Sequence, residues 1–67
     1  MEQLLKALRE AGWAVGVHND YWLNGTRRTF WLFTHRNGLW IKGEGDTDMD
    51  ALAECDKQAR QIFAPSP

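Results

Sequence analysis

The chain reads as an α+β domain in the order helix, three-stranded antiparallel sheet, helix (α-β-β-β-α), and three observations predict it. Two Asn-Gly dipeptides, Asn24-Gly25 and Asn37-Gly38, sit between runs rich in valine and aromatic residues, the pattern of strands joined by tight turns. An apolar stripe at helical spacing precedes these runs, and a second one, preceded by a capping residue, follows them. At 67 residues this is a single domain, expected over residues 1–64 with a short tail at 65–67.

The first helix spans Glu2 to Ala11, where Leu4, Leu8 and Ala11 recur at i, i+4 and i+7 and Leu5 widens the stripe. Gly12 stops it, at the position where a left-handed residue closes a helix. So short a helix is unstable alone in water, so it must dock on the sheet. The first strand runs from Trp13 to about Trp22, the second from Thr26 to His35 and the third from Leu39 to Gly43. Polar residues at His18-Asn19-Asp20 interrupt the first and mark a bulge or loop. Gly43-Glu44-Gly45-Asp46 reads as a flexible exit. Thr47 is an N-cap with Asp50 three residues on and Asp48 in the first turn, where negative charge suits the helix dipole. The second helix, Asp48 to about Ala64, lines up Leu52, Cys55, Ala59 and Ile62, with Met49 and Phe63 at its ends and Pro65 as its stop.

If both Asn-Gly turns close two-residue loops, counting outward pairs His18 with Trp31 and Val17 with Leu32, and across the other turn His35 with Trp40 and Phe33 with Lys42. Residues directly opposite share a sheet face. One face then collects Trp13, Val15, Val17, Phe30, Leu32, Thr34, Leu39 and Ile41, the expected core. The other collects Ala14, Gly16, His18, Trp22, Arg27, Trp31, Phe33, His35, Trp40 and Lys42. Both helices are expected on the aliphatic face, leaving the aromatic one uncovered. The alternative is one helix on each side.

Composition narrows the function. Eight Lys+Arg against nine Asp+Glu give a net charge of −1, which argues against strong general affinity for nucleic acid. The single cysteine excludes an internal disulfide, and no paired Cys/His spacing suits zinc. The first twelve residues carry Glu2, Lys6, Arg9 and Glu10, so no signal-peptide core is present, and no apolar run is long enough to span a bilayer. A soluble cytoplasmic protein is expected, in the host cytoplasm if phage-encoded.

No catalytic residue, metal site or cofactor is expected. His18 and His35 share a face but lie about four residues apart along the sheet, roughly 13 Å at strand rise, too far for one metal. Stacking of an imidazole on Trp31 or Trp40 is the simpler reading. Asp46, Asp48 and Asp50 alternate like the start of a calcium loop, yet Ala51 and Lys57 stand where that loop needs glycine and glutamate. Cys55 sits on the apolar stripe as a small hydrophobe.

What remains is the aromatic face. Trp22, Arg27, Trp31, Phe33, His35, Trp40 and Lys42 would form a patch of mixed cation and π character, fit for a protein partner or a second copy. Asp46, Asp48 and Asp50 could add an acidic contact. The alternative is single-stranded nucleic acid stacking on Trp31, Phe33 and Trp40, with Arg27, Arg28, Arg36 and Lys42 on phosphates.

Two resemblances follow from longer stretches. From Phe30 onward, a strand, the Asn37-Gly38 turn, a strand, Gly43-Glu44-Gly45 and a capped helix with Ala51, Ala53 and Ala59 resemble the double-stranded-RNA-binding domain. That family places phosphate-gripping lysines where this chain has Asp46, Thr47, Asp48, Met49 and Asp50. The resemblance therefore implies the topology and not the activity. The phrases GWAVGVHNDY (12–21) and TFWLFTHRNGLWIKGEGDTD (29–48) resemble small proteins of tailed phages and prophages. This implies a phage origin and a non-enzymatic module that modulates a host or phage component, as small anti-defence inhibitors do.

Overall fold

The computed structural model describes residues 2–63, and side chains through residue 62. It contains α1 (Glu2–Glu10), β1 (Trp13–Leu23), β2 (Thr26–His35), β3 (Trp40–Gly45) and α2 (Asp48–Phe63). The strands form one antiparallel sheet in the order β1-β2-β3, the expected α-β-β-β-α architecture. The expected Pro65 stop, the tail and the packing of Phe63 lie outside the described residues. Among those residues no helix is long and apolar enough to cross a membrane.

The helices are built as their sequence predicts. Leu8 is buried, with Leu4 and Leu5 packed against the core, and Gly12 takes φ +99° while its N–H donates to Arg9 O at 3.0 Å. Thr47 caps α2, its Oγ1 accepting the Asp50 N–H at 3.2 Å. Leu52, Cys55 and Ala59 are buried. Ala11, just beyond α1, and Met49 and Ile62, in the first and last turns of α2, are exposed, against expectation.

The first turn also follows the count. Asn24 (φ 52°) and Gly25 (φ 79°) close a two-residue loop, and Leu23–Thr26, His18–Trp31 and Val17–Leu32 pair as expected. Two local events then reverse the expected faces. A bulge at Gly16 shifts the register between Val15 and Val17, so Val15 pairs with Phe33 and Trp13 with His35. The His18-Asn19-Asp20 segment, expected to be the irregular one, is regular strand. At the second turn Gly38 alone is left-handed (φ 91°), Gly38 N–H donates to His35 O and His35 N–H to Leu39 O, both at 2.8 Å. This is a type I turn followed by a glycine bulge, a three-residue loop, which pairs Thr34 with Trp40 and Phe33 with Ile41.

The core accordingly lies on the other side from the one expected. Trp13, Trp31, Phe33 and Ile41 are buried with Leu8, Ala51, Leu52, Cys55 and Ala59. Val17 is 46% exposed and Phe30 and Leu32 are only half-buried, on the side without helices. Phe33, expected at the surface, is 0% exposed and Trp31 is 7% exposed. The cause is visible in β3, where Gly43 pairs with Trp31 and Gly45 with Thr29. A Cβ at Gly43 would collide with the Ala51 carbonyl oxygen, and one at Gly45 would sit 2.5 Å from Asp50 Cβ. Two glycines on one face let α2 rest directly on the strand, and the large rings of β2 fill the space beside them. What reads as a flexible exit is the seat of the helix. Both helices share this face, as expected, but it is the aromatic one.

Candidate interaction surface

The residues expected to form one patch are divided by the sheet. Trp31 and Phe33 stack in the core at 5.9 Å between ring centroids and 12° between planes. His35 lies beside Trp13, edge to face at 4.9 Å, with Nε2 3.1 Å from Ala11 O. It thus ties the end of α1 to β2. Trp22 and Arg27 are on the helix side of the far end of the β1–β2 hairpin, beyond the reach of β3. Trp40 and Lys42 are on the opposite face, paired with Thr34 and Leu32. The uncovered aromatic patch is therefore corrected. Only Trp22 (72% exposed) and Trp40 (59%) are open to solvent among the four tryptophans, and they face opposite ways.

The helix-free face has its own composition. Reading across the strands, its rows are Ala14–Thr34–Trp40, Val17–Leu32–Lys42 and Asn19–Phe30–Glu44, with Tyr21–Arg28 toward the hairpin. Val17, Phe30, Leu32 and Trp40 make an apolar centre. Lys42, Glu44, Asn19 and Arg28 make a polar edge around it. Tyr21 Oη donates to Glu44 Oε2 at 2.7 Å, and Arg28 Nη1 donates to Asp46 Oδ1 at 3.0 Å, which holds this edge in place. Asp46 is thereby spent on an ion pair, and Asp50 is an exposed residue of the first turn of α2. Among the described residues no helix packs on this face.

On the other side, near the start of α2, four charged or titratable groups gather from three elements: His18 and Asp20 of β1, Arg27 of β2 and Asp48 of α2. His18 stacks on Trp31 at 3.9 Å and 16°, the ring contact expected for it. Its Nε2 lies 3.3 Å from Asp48 Oδ1 and 3.9 Å from Asp20 Oδ1. Asp48 Oδ1 also accepts from Trp31 Nε1 at 3.0 Å and Thr29 Oγ1 at 3.1 Å. The Trp31 bond, with Thr29 and His18 assisting, holds the Asp48 carboxyl below its ordinary range. Arg27 donates to Asp20 Oδ2 at 2.6 Å and lowers that carboxyl in turn, while Asp20 raises the Arg27 guanidinium.

His18, Asp20 and Asp48 could each offer a ligand atom within 4.8 Å of the others. Asp48 Oδ1 and Asp20 Oδ2 are, however, already engaged by three donors, Trp31 Nε1–H, Thr29 Oγ1–H and Arg27 Nη2–H, and a cation here would face the Arg27 guanidinium across Asp20. The arrangement works as a latch that fixes the indole of Trp31 and ties β1 to the start of α2. A shallow cleft of about 230 Å³ lined by Arg27, Thr29, Asp46, Thr47 and Asp48 adjoins it. Cys55 is buried, its thiol 3.6 Å from Trp31 O, and burial pushes the thiol up to about 11, away from the thiolate form that reacts.

No family model matches the chain, and neither a curated protein nor a solved structure matches it.

Proposed function

We propose that this chain is a non-catalytic binding module that holds a protein partner against the helix-free face of its sheet. The observation that carries this reading is an apolar centre of Val17, Phe30, Leu32 and Trp40 on a face left open, ringed by Lys42, Glu44, Asn19 and Arg28. An apolar middle with a charged margin is the anatomy of protein interfaces, and tryptophan is their commonest anchor. The reading keeps Trp40 and Lys42 from the sequence-derived set and replaces Trp31, Phe33 and His35, which serve the core, by Val17, Phe30 and Leu32. Stacking of single-stranded nucleic acid loses ground, since of its three rings only Trp40 meets solvent.

The resemblance to small phage proteins makes host and phage components the first partners to try. Immobilised wild-type chain should retain a protein from lysate that Trp40→Ala and Val17→Lys release, while circular dichroism shows both variants folded. Retention undiminished by either change would refute the assignment of this face. Met49→Ala, exposed on α2, is the control and should have no effect.

A further inference from the structure

The two edges of the sheet are treated differently. At β3 the edge is short, carries Lys42 and Glu44, and has the Lys42 N–H donating to Gln58 Oε1 of α2 at 3.2 Å. Such charges and covering contacts are how proteins protect an edge. β1 has eleven residues, nine of them exposed, and contains neither lysine nor proline. Its guard is the Gly16 bulge, which leaves the segment from Val17 to Leu23 regular and open.

We propose that β1 pairs antiparallel with β1 of a second copy about a two-fold axis at Asn19, joining two sheets into one of six strands. The backbone supports that centre. Leu23 and Thr26 flank a two-residue loop and so exchange both hydrogen bonds, and alternation down the ladder then points the N–H and C=O of His18, Asp20 and Trp22 outward. An axis at Asn19 sets His18 opposite Asp20 of the second copy, and both pairs made this way carry outward-pointing backbone groups. Side chains agree. His18 meets a carboxylate, and Val17 meets Tyr21 of the second copy on the helix-free face. Centring one residue either way would oppose imidazole to imidazole or carboxylate to carboxylate.

The same register accounts for two exposed apolar residues on the helix side, Val15 (43%) and Trp22 (72%). Trp22 of each copy falls opposite Gly16 of the other, where no side chain stands, next to Val15 and alongside α1. The contact is isologous, and pairing closes at two copies because each β3 edge stays guarded.

Sedimentation of the wild-type chain at micromolar to submillimolar concentration should show a species of twice its 7.7 kDa mass in equilibrium with monomer. Trp22→Lys, which puts a charge at the edge, should weaken association by about thirtyfold or more. Asn19→Cys tests the register. Residues in a non-hydrogen-bonded pair lie about 4.5 Å apart at Cα, within disulfide reach, so mild oxidation should yield a covalent dimer while buried Cys55 stays reduced. Monomer throughout would overturn the proposal. So would a dimer that Asn19→Cys fails to trap, or one abolished by Trp40→Ala and not by Trp22→Lys. Trp40→Ala should leave the dimer intact, so this inference and the partner-binding reading fail separately.

Discussion

Gly43→Ala puts the seating of α2 to a direct test. A Cβ there would lie inside the contact distance of the Ala51 carbonyl oxygen, 2.9 Å from Cys55 Sγ and 3.1 Å from Cys55 N. Two of these three are backbone atoms of α2, so no rotamer change relieves the clash and the helix must lift. Overpacking a tight core costs about 1–3 kcal/mol, and a clash with backbone belongs at the top of that range. Lower entropy of the unfolded chain offsets about 0.4–1 kcal/mol. The net loss is about 2–3 kcal/mol, against a total of about 3–10 kcal/mol for a domain of this size. Melting should fall by about 10–20 °C, at roughly 4–8 °C per kcal/mol. Thermal and urea denaturation followed by circular dichroism measure it. Gly16→Ala is the companion. Its Cβ would meet Leu32 Cδ2 at 3.0 Å, the free end of a flexible side chain on the helix-free face, and should cost under about 1 kcal/mol. A Gly43→Ala protein melting within about 2 °C of wild type would mean that α2 does not rest on β3, and the assignment of faces would fall.

Three further outcomes follow from the same geometry. Trp31→Ala should cost about 3–5 kcal/mol because it empties the core beside Gly43, whereas Trp40→Ala should change stability by less than about 1 kcal/mol; equal effects in urea denaturation would contradict the burial pattern. Asp48 is held below its ordinary value near 3.8, so its contribution to stability is complete above that pH and is lost as pH falls through its lower folded value. Asp48→Asn should therefore flatten the acid limb of the stability–pH curve below about pH 4, and an unchanged limb would remove Asp48 from the latch. Cys55, with its thiol pushed up to about 11, should react with a chromogenic disulfide reagent at pH 8 only as fast as the protein opens; immediate labelling would contradict its burial.

The order of elements was legible because it rests on local chemistry. Gly12, Asn24-Gly25 and Thr47 each do in the structure what their residue types require where they stand. The faces were not legible, because they depend on parity, and parity changes with every extra residue in a ladder. Asn37-Gly38 supports a two-residue loop and a type I turn with a glycine bulge equally well, and the structure takes the second. Gly16 could be read as a small neighbour for an aromatic or as a bulge. The signal that settles the matter was present in Gly43 and Gly45, two positions apart on a strand and hence on one face. A strand face without side chains is a place for a helix backbone, which favours Trp31 and Phe33 as core whatever the turns do. Spacing gives only half of the latch: His18 and Asp20 share a face of β1 two residues apart, but Asp48 opens α2 and reaches them only after folding.

The β1–β2 ladder runs past the last pairing of β3, at Thr29–Gly45, and in its outermost three residue pairs the backbones of the two strands pair only with each other. A two-stranded ribbon of that kind twists more and opens more readily than a three-stranded sheet. Backbone amides should therefore exchange with solvent along a gradient, slowest between Thr29 and Phe33 and fastest at Asn24. The salt link between Arg27 and Asp20 and that between Arg28 and Asp46 act as stays on this beam, one on each side. Because such links weaken with ionic strength, added salt should loosen the tip while leaving the root unmoved, and the indole of Trp22 would travel with it.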